Sequence, residues 1–373
     1  MTVIFYHLLD KLLDSSVKLR YNGIKKLRQG VSTTQNKRIT MGDIAGRLGI
    51  SKNSVSLALN GKAGVSDELR SRIVEIAAEM GYGSYSAQNA NKTKGIMVII
   101  PEYLQNDTFF YADIFWMVER EIKKSGYLSL TTSISRDTEH RLLPPAIPRE
   151  LEILGILLIG VVSRDYLSVL KGLGFPIVTV DITYPNSGLN SVSSANLSAA
   201  HTAVSYLIER GHKEIGFIGP IYTAQSIYER WCGFQQALLQ NHLPIDPAYQ
   251  ILGEPDHFEL FDTMPVLKPY LDRIERFPTA WFCAGDCIAI ALINLLKERG
   301  KRVPGDISVV GFDDISVSEL VRPALTTIHI NRKLMGKLAV QKLIEVSRNP
   351  HYEAVDLHLP GTIVVRDSVA SRP

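Results

Sequence analysis

From residue 96 to the C-terminus, short apolar runs recur at 96–100, 155–159, 177–180, 215–218, 280–283 and 307–310. Longer amphipathic stretches separate them, at 114–125, 166–173, 199–210, 230–240 and 288–299. Strand, helix, strand, repeated in this way, predicts a doubly wound parallel sheet. Continuous rather than alternating apolar residues suit strands covered on both faces. The stretch 96–373 is too long for one such sheet, so two similar lobes are expected.

Ahead of residue 96 the grammar differs. Three short helical patterns occupy 41–48, 52–59 and 67–80. Thr40 stands where an N-cap belongs, and Asp43 three residues on can serve the same amides. Ile44, Ala45 and Leu48 give the first pattern an apolar face. Gly49 supplies a residue able to take positive φ, which turns the chain sharply. Ser51 caps the second pattern, which turns Val55 and Leu59 inward. Ser66 caps the third, with Ile73, Ile76, Ala77 and Met80 on one face. Helix, glycine-bearing turn, helix is the signature of a helix-turn-helix, and a plain three-helix packing unit is the alternative. Polar residues at 32–36 and 84–95 read as linkers. The chain therefore divides into a basic extension (1–37), an all-α head (38–83), a linker (84–95) and an α/β core (96–373). Within the core, one lobe is expected from 96–194 with 331–359, the other from 195–330 with 360–373.

Charge sharpens the picture. The whole chain carries a net +3, but residues 1–38 hold eight Lys or Arg against Asp10 and Asp14, a local +6. A positive field at that end would attract a nucleic acid, and a solvated basic tail would look the same. Residues 1–30 are either an added arm that contacts phosphates or an untranslated stretch upstream of a start at Val31. No apolar run approaches the length of a membrane span. The apolar stretch 3–9 lacks a basic flank and a cleavage site, so it does not read as a signal peptide. The three cysteines, Cys232, Cys283 and Cys287, make no disulfide framework, and free thiols point to the cytoplasm.

Candidate chemistry lies in two places. The start of the 52–59 helix is its base-reading end. Lys52 can donate to guanine, and Asn53 carries the donor and acceptor that adenine requires. Thr40, Ser54 and Ser56 suit phosphate oxygens. In the core, Asp181 and Asp313 end apolar runs, at the strand ends where ligands of doubly wound sheets bind. A carboxylate there can accept hydrogen bonds from hydroxyls of a sugar or polyol. Phe110 and Tyr111 can form an apolar wall for a ring. Helix caps and ordinary core aromatics are the alternative roles for these four residues. No phosphate-binding loop, nucleophile elbow or zinc-protease motif is present. Cys283 and Cys287 lack further ligands at metal spacing, so no metal and no cofactor is expected.

The motifs themselves resemble those of the LacI/GalR regulators. Residues 38–45 (Arg-Ile-Thr-Met-Gly-Asp-Ile-Ala), 48–61 (Leu-Gly-Ile-Ser-Lys-Asn-Ser-Val-Ser-Leu-Ala-Leu-Asn-Gly), Val65-Ser66 and Gly81-Tyr82 are similar to that family's headpiece. In the core, Phe109–Asp113, 177–181, 209–219, 304–315 and 323–328 resemble its segments in the same order. The resemblance covers about residues 38–368. It implies a periplasmic-binding-protein-like core with two lobes, three crossovers and a ligand in the cleft. It also implies a homodimer on a pseudo-palindromic DNA operator. It adds Ser51, Leu57 and Asn60 to the DNA-facing set. It adds Arg230, Ser226, Gly285 and Asp286 to the effector-facing set.

Some positions depart from the family pattern. Leu57 stands where Arg or His is frequent and can offer only an apolar contact, such as to a thymine methyl. The linker lacks the Ala-Arg-Ser-Leu whose leucine wedges into the minor groove, so weaker kinking is expected. Gly285 stands where sugar-responsive relatives often carry Asn, Ala195 replaces a frequent Asp, and Ile330 a frequent polar residue. The expectation is therefore a transcription regulator, a repressor, controlled by a sugar-like effector. The alternative is a solute-binding module without regulation.

Overall fold

A computed structural model describes residues 40–59, 64–80, 93–104, 109–148, 150–254, 261–349 and 353–373. The extension 1–37, Asn60 and residues 84–92 of the expected linker lie outside these. The last residues assigned to that linker, 93–95, are instead the start of a strand. Their pairing with neighbours on both sides, Gly95 with Leu128 and Ile153, explains why polar Thr93 and Lys94 are recruited into a sheet. The chain forms two compact units, through Asn91 and from Lys92.

The first unit holds three helices: α1 (Met41–Leu48), α2 (Lys52–Leu59) and α3 (Asp67–Glu79). Each contributes two residues to one small core of Ile44, Ala45, Val55, Ala58, Ile73 and Ala77. Ala58 rather than Leu59 is the second fully buried residue of α2, while Leu59 is half-buried at the edge. Thr40 and Asp43 form a reciprocal capping box at the start of α1, with the Thr40 amide donating to Asp43 Oδ2 at 2.6 Å. Gly49 ends α1 at φ +65°, a backbone that side-chain-bearing residues rarely take.

The second unit contains two parallel sheets and a small antiparallel pair. The elements run β1 (Thr93–Pro101), α4 (Tyr111–Lys124), β2 (Leu128–Ile134), α5 (Arg136–His140), β3 (Leu151–Ile159), α6 (Arg164–Gly172), β4 (Ile177–Val180), β5 (Asn190–Ser194) and α7 (Asn196–Glu209). Then come β6 (Ile215–Ile218), α8 (Gln225–Gln240), β7 (Gln250–Ile251), α9 (Met264–Leu271), β8 (Ala280–Cys283), α10 (Asp286–Glu298), β9 (Ser308–Val310), β10 (Thr327–His329), α11 (Arg332–Arg348), β11 (Asp356–Leu359) and β12 (Thr362–Val364).

The first sheet has the order β11-β5-β4-β3-β1-β2 and the second β7-β6-β8-β9, while β10 and β12 pair antiparallel. The chain passes between lobes three times: after β5, between β10 and α11, and between β11 and β12. On β1, Ile96, Val98 and Ile100 join one core cluster and Met97 and Ile99 the other. Both faces of the sheet are covered, which is why the run shows no alternation. No helix among the described residues is long and apolar enough to cross a membrane.

Candidate functional site

The head and the core each carry a candidate site. In the head, Ser51 accepts from the Ser54 amide at 3.0 Å, which starts α2 cleanly. Burial of Val55 and Ala58 fixes the roll of this helix and turns Ser51, Lys52 and Asn53 to solvent. Both readers expected at the helix start are therefore presented at its positive end, with their head groups uncommitted to the fold's core. Ser54 and Ser56 are half-buried beside them, and Ser54 shares its hydroxyl with Ser51 at 2.9 Å. Thr40 is exposed, and its hydroxyl is held by Asp43 Oδ2 at 2.6 Å. Leu57 is half-buried, lying over Gly64. At the far end of α2, Arg70 donates to the carbonyl of Ala58 at 3.1 Å, satisfying a terminal acceptor.

In the core, the candidate residues gather where the strands of both sheets end. Lobe one brings Asp181, just past β4, and Tyr111, at the start of α4. The Tyr111 hydroxyl donates to Asp181 Oδ2 at 3.0 Å. Asp181 is nearly buried and sits at φ +64°, a left-handed turn that swings its carboxylate off the strand line. Phe110 is buried against Tyr111, with ring centroids 5.1 Å apart in an edge-to-face arrangement.

Lobe two brings Arg230, Gly285 and Asp313. Arg230 projects from α8 and is only 5% exposed. A buried guanidinium needs partners for its fork of donors. Its Nε donates to Asn196 Oδ1 at 2.9 Å and its terminal nitrogen to the Ala284 carbonyl at 2.5 Å. The same nitrogen lies 3.4 Å from Asp313 Oδ1. Its flat face covers the Phe312 ring at 3.7 Å. Asp313 sits at φ +108°, and a Cβ placed on Gly285 would lie 3.5 Å from its carboxylate. Gly285 therefore sits directly beside the Asp313 carboxylate. Ser226 is half-buried one helical turn before Arg230.

Asp286 is placed differently from its expected role at the effector. It is 1% exposed, and its carboxylate faces inward. It accepts from Ser318 Oγ at 2.6 Å, Thr327 Oγ1 at 2.5 Å and the Ile315 amide at 2.9 Å. These bonds tie the start of α10 to the segment after β9 and to β10, so the residue braces lobe two. Burial and the nearby Asp313 charge push its pKa up to about 7, against the pull of its three donors.

Sequence reasoning missed Arg332, Asp113, Asn196 and Phe312. Arg332 is 10% exposed at the start of α11, and its Nε donates to Asp113 Oδ2 at 3.1 Å. No periodic signal marks it, because it is the first residue of its helix, directly after a crossover. Phe312 adjoins Asp313 in the quoted 304–315 motif, and its aromatic side chain beside a strand-end carboxylate was the available clue.

Residues 40–84 match the family described as bacterial regulatory proteins, lacI family. Residues 204–369 match the periplasmic binding protein-like domain. The ribose operon repressor of Haemophilus influenzae is 27% identical over 332 residues, covering 89% of this chain and 99% of that protein. The transcriptional repressor PurR of Pasteurella multocida is 29% identical over 344 residues, covering 89% and 99%. Among solved structures, the regulator CelR bound to cellobiose is similar, with TM-score 0.64 at 24% identity, covering 89% of this chain and 100% of that one. The lac repressor dimer bound to operator and an anti-inducer gives TM-score 0.65 at 22% identity, covering 90% and 100%.

Proposed function

Because this chain belongs to the LacI family of bacterial regulatory proteins, a family of DNA-binding regulators and not enzymes, we propose that its α2 edge reads operator bases and its cleft senses a sugar-like effector. Lys52 and Asn53 contact base edges in the major groove, while Thr40, Ser51, Ser54 and Ser56 lie along the phosphates; Asn60, outside the described residues, stays in the DNA-facing set on its motif alone. Leu57 adds an apolar contact. The regulator acts as a cytoplasmic homodimer, so its operator is a pseudo-palindrome with half-sites one or more helical turns apart. One observation carries the DNA reading: the roll of α2, set by buried Val55 and Ala58, presents Lys52 and Asn53 to solvent.

In the cleft, Asp181 and Asp313 accept hydroxyl hydrogen bonds, Arg230 and Tyr111 hold them in place, and Phe110 backs the wall. Ser226 and Gly285 line the lobe-two side. Two carboxylates, each with a fixed neighbour, suit a neutral ligand rich in hydroxyl groups. A related repressor is named for ribose, and a structural neighbour holds cellobiose.

The test is a titration of operator fragments selected from random DNA. Lys52→Ala with Asn53→Ala should abolish the preference for the selected site over random sequence, while any effector-induced rise in core melting temperature persists. Retention of the wild-type preference by that double variant would overturn the assignment of the α2 edge.

A further inference from the structure

Arg332 occupies an unusual place in the fold. It is the first residue of α11, directly after the second passage between lobes. The helix it begins belongs firmly to lobe one. A Cβ on Gly336 would come within 2.8 Å of the Ile114 carbonyl, so α11 and α4 touch backbone to backbone. The Arg332 guanidinium nevertheless reaches lobe two. Its terminal nitrogens donate to the carbonyls of Asp313 and Asp314. Its Nε is tied back to Asp113 of α4, and its charged carbon lies 5.6 Å over the Phe110 ring.

The two residues that receive this fork are themselves unusual. Asp313 and Asp314 both take positive φ, +108° and +51°, which side-chain-bearing residues adopt only where their surroundings hold them. Asp314 is held by Arg366 at 2.7 Å and His329 at 2.9 Å. The Asp313 carboxylate meets Arg230. One side chain therefore grips the wall of lobe one, beside the Tyr111–Asp181 pair, and the backbone that aims the lobe-two carboxylate.

We propose that Arg332 is a cross-cleft clasp: its planar fork fastens the Asp313–Asp314 turn of lobe two to Asp113 and Phe110 of lobe one, and so sets the separation of the two ligand-facing carboxylates. The clasp deepens the reading of the cleft as an effector site and rests on it for its meaning. Arg332 is a positioning residue here. A Lys at this place keeps the charge but cannot serve two carbonyls and a carboxylate from one rigid plane. Closure around a fixed crossover is a recognised mode of two-lobed switching, and a fork bridging the lobes biases it without ligand.

The test needs neither effector nor operator, which separates it from the test of DNA reading. Spin labels at Leu142 and Leu239, exposed positions on lobe one and lobe two, report interlobe distance in the full chain, with Cys232→Ser and Cys287→Ser as background. The parent should give one narrow distribution. Arg332→Gln and Arg332→Lys should both broaden it and move its centre by several ångströms. Asp113→Asn, which leaves the carbonyl contacts but frees the anchor, should broaden it less. A purely structural role would lower the melting temperature of the Arg332 variants and leave the distribution where it was. That result, or Arg332→Lys matching the parent, overturns the clasp. If Arg332→Gln does not fold, the Lys and Asn variants decide by the same distances.

Discussion

Arg230 and Asp286 are both buried charges in lobe two, and their surroundings assign them opposite work. Arg230 is stacked on Phe312 and faces Asp313, with its fork at the cleft. Removing one partner of a buried, hydrogen-bonded pair leaves the other charge uncompensated, at about 3–5 kcal/mol. Arg230→Ala should therefore lower core stability measurably in a denaturant titration and abolish ligand-induced stabilisation. Arg230→Lys should recover part of the stability and little of the ligand effect, since an ammonium cannot reproduce the stacked plane.

Asp286 has no such outlook, and its predicted signature is a pH dependence. A carboxyl raised from 3.8 to about 7 on folding stabilises the fold while protonated. That contribution is whole below about pH 4 and is lost as pH climbs through about 7. Asp286→Asn stays neutral throughout, so it should flatten the fall in melting temperature between pH 5 and pH 8. An unchanged slope in the variant would place the titrating group elsewhere.

Among the elements, α1 shows how much one capping motif can hold in a small unit. Among the described residues, the head has a small core of six buried apolar residues, so each helix end contributes a large fraction of its stability. Thr40→Ala removes the acceptor for the Asp43 amide and the hydroxyl donor to the Asp43 carboxylate, leaving the backbone amide of residue 40 to that carboxylate. A lost N-cap costs about 1 kcal/mol. Amide exchange at Asp43 and Ile44 in the intact chain should accelerate several-fold, while exchange in β1 stays unchanged.

The caps and bounds of α1 and α2 were legible in the sequence because they obey local rules. So were β4, β6 and β8, where every residue is buried and all but Thr179 are apolar or glycine. Other elements were hidden for physical reasons. β5 is Asn-Ser-Val-Ser-Ser, fully buried yet mostly polar. Two of its serines are satisfied by the edge strand β11, with Ser191 donating to Asp356 at 2.6 Å and Ser193 bonded to His358 at 3.1 Å. A partner 165 residues away leaves no local pattern. β2 alternates polar and apolar residues because it is an edge strand with one half-open face. The strand-end positions of Asp181 and Asp313 were legible from the apolar runs they close, and the place of Arg230 from its motif. The place of Arg332 was not, because it comes from the crossover geometry, nor was the inward turn of Asp286, which depends on Ser318 and Thr327.

At the scale of the whole molecule, the head and the core are separate compact units, so regulation has to be expressed as a free-energy coupling between two sites. A ligand that binds only the folded core at a hundred times its Kd stabilises it by about 2.7 kcal/mol, which identifies it in a thermal-shift screen of sugars and sugar derivatives. Such a ligand need not regulate, because equal affinity for the DNA-bound and free forms shifts nothing. Regulation requires that ligand change operator affinity by some factor, and linkage then requires saturating operator to change ligand affinity by the same factor. Both arms can be measured on one preparation, by operator titration with and without ligand and by ligand calorimetry with and without operator. Salt must be held constant, since phosphate contacts make operator affinity fall steeply with ionic strength. Matching factors well away from one establish the cleft as the regulatory site. The Lys52→Ala and Asn53→Ala double variant supplies the control, because it should bind the ligand with one affinity whether or not operator is present. A ligand that stabilises the core yet shows factors of one in both arms would make the cleft a binding site without control of the head.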